Sequence, residues 1–361
     1  MTRIEAIETV AFRLPMRGAL AWGRESVLEA AEGVLVRVRA SSGAVGVAEA
    51  PPRPTIYGET LASIEAAVRS LLAPRLLGRD LGDLAGARRA IGFLAANQTA
   101  KGALDMALHD ALARERGVNL PQLLGARARE VEVSYILGLG DLDATLAEAH
   151  WVIDRGVRVL KVKVAGERAA DLERIRALRH ELGAGVRLYV DANETFAPAT
   201  AGEDLALLRD AGVLWAEEPL PVERLRDRAA LRAREVLPII ADDSVFSLRD
   251  LRRELEADTF DLLNVKPART GYQESRDMLE LACSRGKGVM VGSQASTTLG
   301  TARAAAFAGL AGVDHPCELS FFLKLEAEIV DRPLEIRDGR LDLAAAAAIE
   351  VDERRLREFS V

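Results

Sequence analysis

Five short segments between Val159 and Lys266 constrain this chain more than anything else in it. Each is an apolar run that stops at a charged residue. They are Val159-Leu160-Lys161-Val162-Lys163, Leu188-Tyr189-Val190-Asp191-Ala192-Asn193, Leu214-Trp215-Ala216-Glu217-Glu218-Pro219, Ile239-Ile240-Ala241-Asp242-Asp243-Ser244 and Leu262-Leu263-Asn264-Val265-Lys266. Their charged ends recur about every 25 residues, roughly one strand plus one crossover helix. Parallel strands joined by right-handed crossovers point the same way, so their C-terminal ends share one face. The pattern delivers Lys, Asp, Glu, Asp and Lys to one mouth. Carboxylates gathered there repel unless a cation sits among them. Hard oxygen ligands suit Mg²⁺, which keeps coordination positions open for a substrate. An amine on each side of such an ion is placed to move protons.

The rest of the chain fits around that stretch. Ile4–Leu14, 33–40 and 45–49 read as strands of an antiparallel meander, with helices near 59–73, 82–95 and 98–116. Residues 1–125 are therefore expected to form an α+β capping domain. Two segments, 16–25 and 51–58, read as loops, either covers for an active site or plain surface connections. The second is too rich in proline to continue a strand. From Val131 the pattern alternates strand and helix, ending in a seventh strand at 289–292 and a weaker eighth at 315–320. Seven or eight βα units argue for a (β/α) barrel over 126–325, close to (β/α)7β. A doubly wound open sheet is the second choice, but no Gly-x-Gly-x-x-Gly turn follows the first strand. Residues 326–361 leave the pattern, with a hairpin at Asp338-Gly339 that is expected to return to the capping domain.

Composition narrows the partners. The net charge of -7 argues against a nucleic-acid partner. Cys283 and Cys317 offer neither a disulfide framework nor zinc spacing, so reduced thiols and a cytoplasmic setting are expected. The N-terminus lacks the apolar run of a signal peptide, and no stretch has the apolar length of a membrane span. Of 48 basic residues only six are lysines: Lys101, Lys161, Lys163, Lys266, Lys287 and Lys324. Arginine cannot release its proton near neutral pH, whereas lysine can when its pKa is pushed down. Three of the six lysines stand at the strand ends. Lys161 and Lys163 share one face of a strand, and their repulsion is expected to lower the pKa of one of them. Glu218 and Asp243 read either as helix-capping partners or as residues orienting their neighbours. His109, His150 and His180 read as surface or packing residues; His315 lies nearest the expected site.

These residues resemble the enolase superfamily, and its muconate lactonizing enzyme branch in particular. The likeness rests on Lys161-Val162-Lys163, Asp191-Ala192-Asn193, Glu217-Glu218-Pro219, Asp242-Asp243-Ser244 and Asn264-Val265-Lys266. The helix from Thr99 to Asp110, ending in Leu123-Leu124-Gly125, resembles the linker into the barrel. The resemblance implies that Asp191, Glu217 and Asp242 bind Mg²⁺, with Mn²⁺ as a substitute. It implies that Lys163 and Lys266 form the acid/base pair beside Lys161. It points to Asn193, Ser293, Gln294, Glu318, Trp22 and Tyr57 as substrate contacts, the last two from the covering loops. The usual third-ligand motif has Glu where this chain has Asp243. Ser293 and Gln294 stand where the mandelate racemase branch has a histidine. Dipeptide epimerases carry Asp-x-Asp on strand eight, whereas Glu318-Leu319 is closer to muconate enzymes. The implied activity is muconate cycloisomerisation in aromatic catabolism, on a small carboxylate substrate, by a homo-oligomer from dimer to octamer. The alternative is an o-succinylbenzoate synthase, an N-succinylamino acid racemase or another lysine-pair epimerase, since Lys266-Pro267-Ala268-Arg269 also resembles that group. A barrel that binds a ligand without catalysis is the third reading.

Overall fold

The computed structural model describes residues 1–23 and 26–361. The chain opens with an antiparallel sheet of β1 (Ile4–Trp22), β2 (Ser26–Ala40) and β3 (Val45–Ala50), in that order. Val36 and Val38 are buried while Arg39 points to solvent, the alternation expected of a half-covered sheet. The segment expected as a loop at 16–25 is instead mostly strand. Residues up to Trp22 continue β1 because they find partners in an early β2: Leu20 opposite Leu28, Ala21 opposite Val27 and Trp22 opposite Ser26. The segment contains Gly18 and Gly23, and a register shift between Pro15 and Leu20 absorbs the irregularity. Arg24 and Glu25, the end of that expected loop, lie outside the described residues. The 51–58 segment is irregular, with Arg53 bridged to Glu59 across it.

Three helical stretches then cover the sheet. The helix Leu61–Ala66 starts at a capping box between Thr60 and Ser63. The helix Gln98–Glu115 is buried almost all round because it packs on both β3 and the barrel helix Pro267–Ser284. Gly102 permits that contact: a Cβ there would come within 2.6 Å of the Ala268 carbonyl oxygen. Opposite it, Gly271 kinks the barrel helix at φ 68°. The kink turns the Tyr272 amide toward the Asp105 carboxylate, which accepts its hydrogen bond.

The barrel differs from expectation at its first and last staves. The alternation expected from Val131 opens on two short strands, β4 (Glu130–Glu132) and β5 (Tyr135–Leu137). Then come β6 (Val159–Lys163), β7 (Arg187–Asp191), β8 (Val213–Glu217), β9 (Ile239–Ala241), β10 (Leu262–Val265) and β11 (Gly288–Val291). β5 to β11 pair in sequence order as one parallel, curled sheet of seven strands. The expected eighth strand, 315–320, is not a regular strand, since Pro316 has no N–H to give a ladder. It still closes the barrel: the Glu318 amide donates to Val291, and the Cys317 amide to Glu132. The tail hairpin forms as expected from β12 (Ile336–Arg337) and β13 (Arg340–Asp342), but β13 pairs with β4 rather than with the cap. Other tail residues do reach the capping sheet: the Glu326 amide donates to Pro15, Glu353 pairs with Arg37, and the Val361 amide donates to Ala11. Among the described residues no helix is long and apolar enough to cross a membrane.

One helix N-terminus joins cap, barrel and tail. At the start of the barrel helix Thr298–Ala308, the Thr297 and Gly300 amides donate to Glu49 of β3, and the Thr298 amide to Glu328 of the tail. Negative charge is favoured at a helix N-terminus, but two carboxylates there also repel. Burial, with Glu49 beside it, pushes the Glu328 carboxyl up to about 8 despite the bonds from Thr298. An acid whose folded-state pKa is raised contributes stability below its unfolded value and loses it as pH rises through the folded one. Stability should therefore fall between about pH 4.5 and 8, and Glu328→Gln should flatten that slope. Denaturant melts across this range check it; an unchanged slope in the variant would contradict the assignment.

Candidate active site

Register gathers the charged strand ends into one row. Lys163 on β6 stands opposite Asp191 on β7, and Asp191 opposite Glu217 on β8. Asp242 follows the last residue of β9, and Lys266 the last residue of β10. Alternation along β6 turns Lys161 and Lys163 inward together. All of these groups are buried.

Each ammonium is engaged by carboxylates. Lys161 Nζ lies 2.6 Å from Glu217, 2.6 Å from Glu318 and 2.8 Å from Asp191. Lys163 Nζ lies 2.7 Å from both Asp191 Oδ2 and Asn193 Oδ1. Lys266 pairs with Asp242, which also receives Arg269 Nη1 at 3.1 Å. Glu318 has both oxygens occupied: one takes Lys161, the other the Ser293 amide at 2.9 Å. Beneath the row, Glu218 accepts from the Asp242 amide and the Ser244 hydroxyl, and it pairs with Arg228. It thus orients its neighbours, the second of its two sequence readings.

The electrostatics at Lys161 are set by its acids. Repulsion between Lys161 and Lys163 does not lower the Lys161 pKa. Burial pulls it down, but Asp191, Glu217 and Glu318 outweigh burial and hold it well above the usual lysine range. Burial likewise opposes Asp242 at Lys266, and Asp242 wins, so its pKa is raised. Lysine neighbours overcome burial at Asp191 and Asp242, which are both held below the usual carboxylate range. Glu217 is the acid left over. Burial pushes it well up, Lys161 offsets this only in part, and Asp191, Glu318 and Asp242 add to the rise. Burial and Asp242 push Asp243 up to about 6.

The three acids suit a hard divalent cation in donor type. Asp242 adds to the rise of the Glu217 carboxyl, a repulsion between buried acids that a cation would relieve. Among the described residues, however, no three acid, histidine or cysteine side chains are grouped at metal-ligand spacing. The reason is visible in the row itself, where the Lys161 ammonium lies between Asp191 and Glu217.

Above the row is a cavity of about 60 Å³. Of the residues expected at the site, it brings together Lys161, Lys163, Lys266, Asp191, Asp242, Asn193, Ser293, Gln294, Glu318, Trp22 and Tyr57. Glu217 is under its floor, fully buried. His315 is not part of it. That ring packs on Trp215 and against Gly288, the first residue of β11 and so the far end of the barrel. Sequence reading missed Arg53, Arg269 and the apolar wall of Leu20, Ile56 and Ile136. Arg269 lies three residues after Lys266, one helical turn on, and that spacing was the available signal. Arg53 was hidden by the abundance of arginine.

Lysines facing carboxylates in the mouth of a capped barrel are placed to exchange protons. Comparison with known proteins gives the family. Residues 6–125 match the mandelate racemase/muconate lactonizing enzyme N-terminal domain, and 144–354 the enolase C-terminal domain-like family. The chain belongs to this family, within the enolase superfamily. It is 33% identical over 311 residues to the L-Ala-D/L-Glu epimerase of Bacillus subtilis, covering 85% of each chain. It is 31% identical over 337 residues to muconate cycloisomerase 1 of Pseudomonas putida, covering 91% of this chain and 90% of that one. The muconate lactonizing enzyme of Mycobacterium smegmatis, solved with muconolactone, superposes with a TM-score of 0.95 at 34% identity, covering 99% and 100%. Both kinds of relative are isomerases, and members of the superfamily typically depend on a divalent metal.

Removing Lys161 should expose how much the row depends on it. Lys161→Met leaves Asp191, Glu217 and Glu318 without their shared cation, and should cost about 3–5 kcal/mol of stability. Adding Glu318→Gln should recover part of the loss, because the two residues are in contact. Denaturant melts of the single and double variants measure both. Losses that simply add would contradict the coupling.

Proposed function

We propose that this protein is a muconate cycloisomerase that interconverts cis,cis-muconate and muconolactone with Mg²⁺, or Mn²⁺ in its place. The observation that carries the reading is Glu318. Its oxygens are committed to Lys161 and to the Ser293 amide, so the closing segment offers no free carboxylate to a substrate ammonium. An anion suits such a cavity better than a dipeptide does. The Glu-Leu at this point, in place of Asp-x-Asp, agrees with that.

In this reading Asp191, Glu217 and Asp242 would hold the cation, which would supply positive charge to a substrate carboxylate. One carboxylate of muconate adds to the diene, and the π electron pair moves onto the other carboxylate as an enolate. Lys163 or Lys266 then gives its proton to the α carbon and is reprotonated from solvent. Asn193 orients Lys163, and Arg269 orients Asp242. Trp22 and Leu20 close the cavity from above and keep water from the enolate.

A second reading has its own support. Lys163 and Lys266 rise from β6 and β10, on either side of the acid row, so each could address one face of a planar carbanion. Asp243 also lines the cavity and could take an ammonium. These features, with the Bacillus relative, suit a lysine-pair epimerase or an N-succinylamino acid racemase.

Purified protein assayed with cis,cis-muconate, L-Ala-L-Glu and N-succinylamino acids separates the readings. Turnover of muconate is expected, lost on chelation and restored by Mg²⁺. Epimerisation of a dipeptide with no muconate turnover would replace the first reading with the second. Full activity in chelated protein would sink both.

A further inference from the structure

We propose that Arg53 is the anchor for a second carboxylate of the substrate, so that the site is built for a dicarboxylate. The proposal deepens the cycloisomerase reading and rests on it for the identity of the substrate.

Arg53 differs from the other cations of the cavity. Lys161, Lys163 and Lys266 are each paired with carboxylates. Arg53 is 4% exposed, yet its hydrogen bonds run only to carbonyl oxygens, those of Pro52, Gln294 and Ala295. Among the described residues no carboxylate forms an ion pair with it. Neutral acceptors orient a guanidinium without balancing its charge, and a buried charge without a counter-ion is costly. The cost is visible in the guanidinium itself, which burial pulls down to about 10 although Glu49 opposes it. Three of its N–H groups are used by the carbonyls. Of the five that arginine carries, two remain to donate.

Its position suits a distal group. Gln294 and Ala295 follow β11, whereas the acid row runs from β7 to β9. Arg53 also lines an outer groove together with Trp22 and Thr55, so it stands between that groove and the inner cavity. The apolar side chains of Leu20, Ile56 and Ile136 line the same cavity. A short hydrocarbon chain with a carboxylate at each end meets all three environments: the acid row with its lysines, the apolar wall and Arg53.

The chemistry makes the role testable. The carboxylate held by Arg53 is the one that adds to the diene, so it is charged in muconate and becomes a neutral ester in the lactone ring. Arg53 therefore contributes to binding muconate and little to binding muconolactone. The equilibrium constant of the reaction is fixed, so losing Arg53 must lower kcat/KM equally in both directions. The loss should appear as a raised KM for muconate and as a lowered kcat for the reverse reaction.

Kinetics in both directions on wild type, Arg53→Met and Arg53→Lys test this, with calorimetry using adipate and hexanoate as binding probes. Arg53→Met should raise KM for muconate by about 10- to 100-fold, the size of one hydrogen-bonded charge contact. The KM for muconolactone should stay unchanged. Adipate should bind wild type more tightly than hexanoate does. The variant should lose adipate affinity by a similar factor and leave hexanoate affinity unchanged, and Arg53→Lys should fall between. Adipate binding that is insensitive to both substitutions overturns the proposal. So does a parallel loss for adipate and hexanoate, or equal binding of the two by wild type. If wild type binds adipate through Arg53 but does not turn over muconate, the anchor stands and the cycloisomerase reading falls.

Discussion

The structure depends on how opposite charges are balanced out of water at one end of a barrel. Lys161, Lys163, Lys266 and Arg269 face Asp191, Glu217, Asp242 and Glu318, and all are buried. Each ion removed from water costs on the order of several kcal/mol, recovered only by close and complete pairing. Pairing here is close, with Lys161 shared among three acids at 2.6–2.8 Å. It is uneven, because Asp242 has both Lys266 and Arg269 whereas Glu217 shares Lys161 with two other acids, a local deficit of positive charge. A site with such a deficit has a place for added positive charge, and the mouth of a barrel is where substrates reach it.

The charges stay in register because the elements beneath and above them are fixed by separate contacts. Beneath, the parallel pairing of β6, β7 and β8 sets Lys163, Asp191 and Glu217 side by side. Above, the cap is locked to the barrel by buried polar groups. Arg303 of the helix Thr298–Ala308 donates to the Val47 carbonyl of β3 and pairs with Asp110, which also accepts the Val47 amide. Glu49, two residues along β3, holds the start of the same helix. The irregular 51–58 segment leaves β3 immediately afterwards, so its exit point over the mouth is set by these contacts. Tyr57 and Arg53 reach the cavity from it.

Much of this could be read from the amino acids, and the reasons are physical. A strand end that must carry a charge into a barrel mouth writes an apolar run followed by Asp, Glu or Lys, and five such runs exposed the row. The long pairing of β1 with β2 could not be read in the same way, because Gly18 and Gly23 carry the composition of a turn while their neighbours make a ladder. The closing segment 315–320 has little strand character since its hydrogen bonds go to two flanking elements and Pro316 interrupts them. Arg53 and Arg269 were lost among 42 arginines; only their burial and partners distinguish them. His315 looked close to the site in sequence but lies at the opposite end of the barrel. Repulsion between Lys161 and Lys163 is expected to weaken one of the two ammoniums; at Lys161 the carboxylates around it, unseen until folded, raise the pKa instead.

The central claim is that this row protonates one carbon next to a carboxylate, from one side. Running the reaction of cis,cis-muconate with Mg²⁺ in D₂O, and locating deuterium in the muconolactone by NMR, measures it most directly. The account predicts one deuteron at the α carbon, on a single face, and no incorporation when the lysine on that face is replaced by alanine. Deuterium scrambled over both faces, or product formed with undiminished incorporation in both the Lys163→Ala and Lys266→Ala variants, would contradict it.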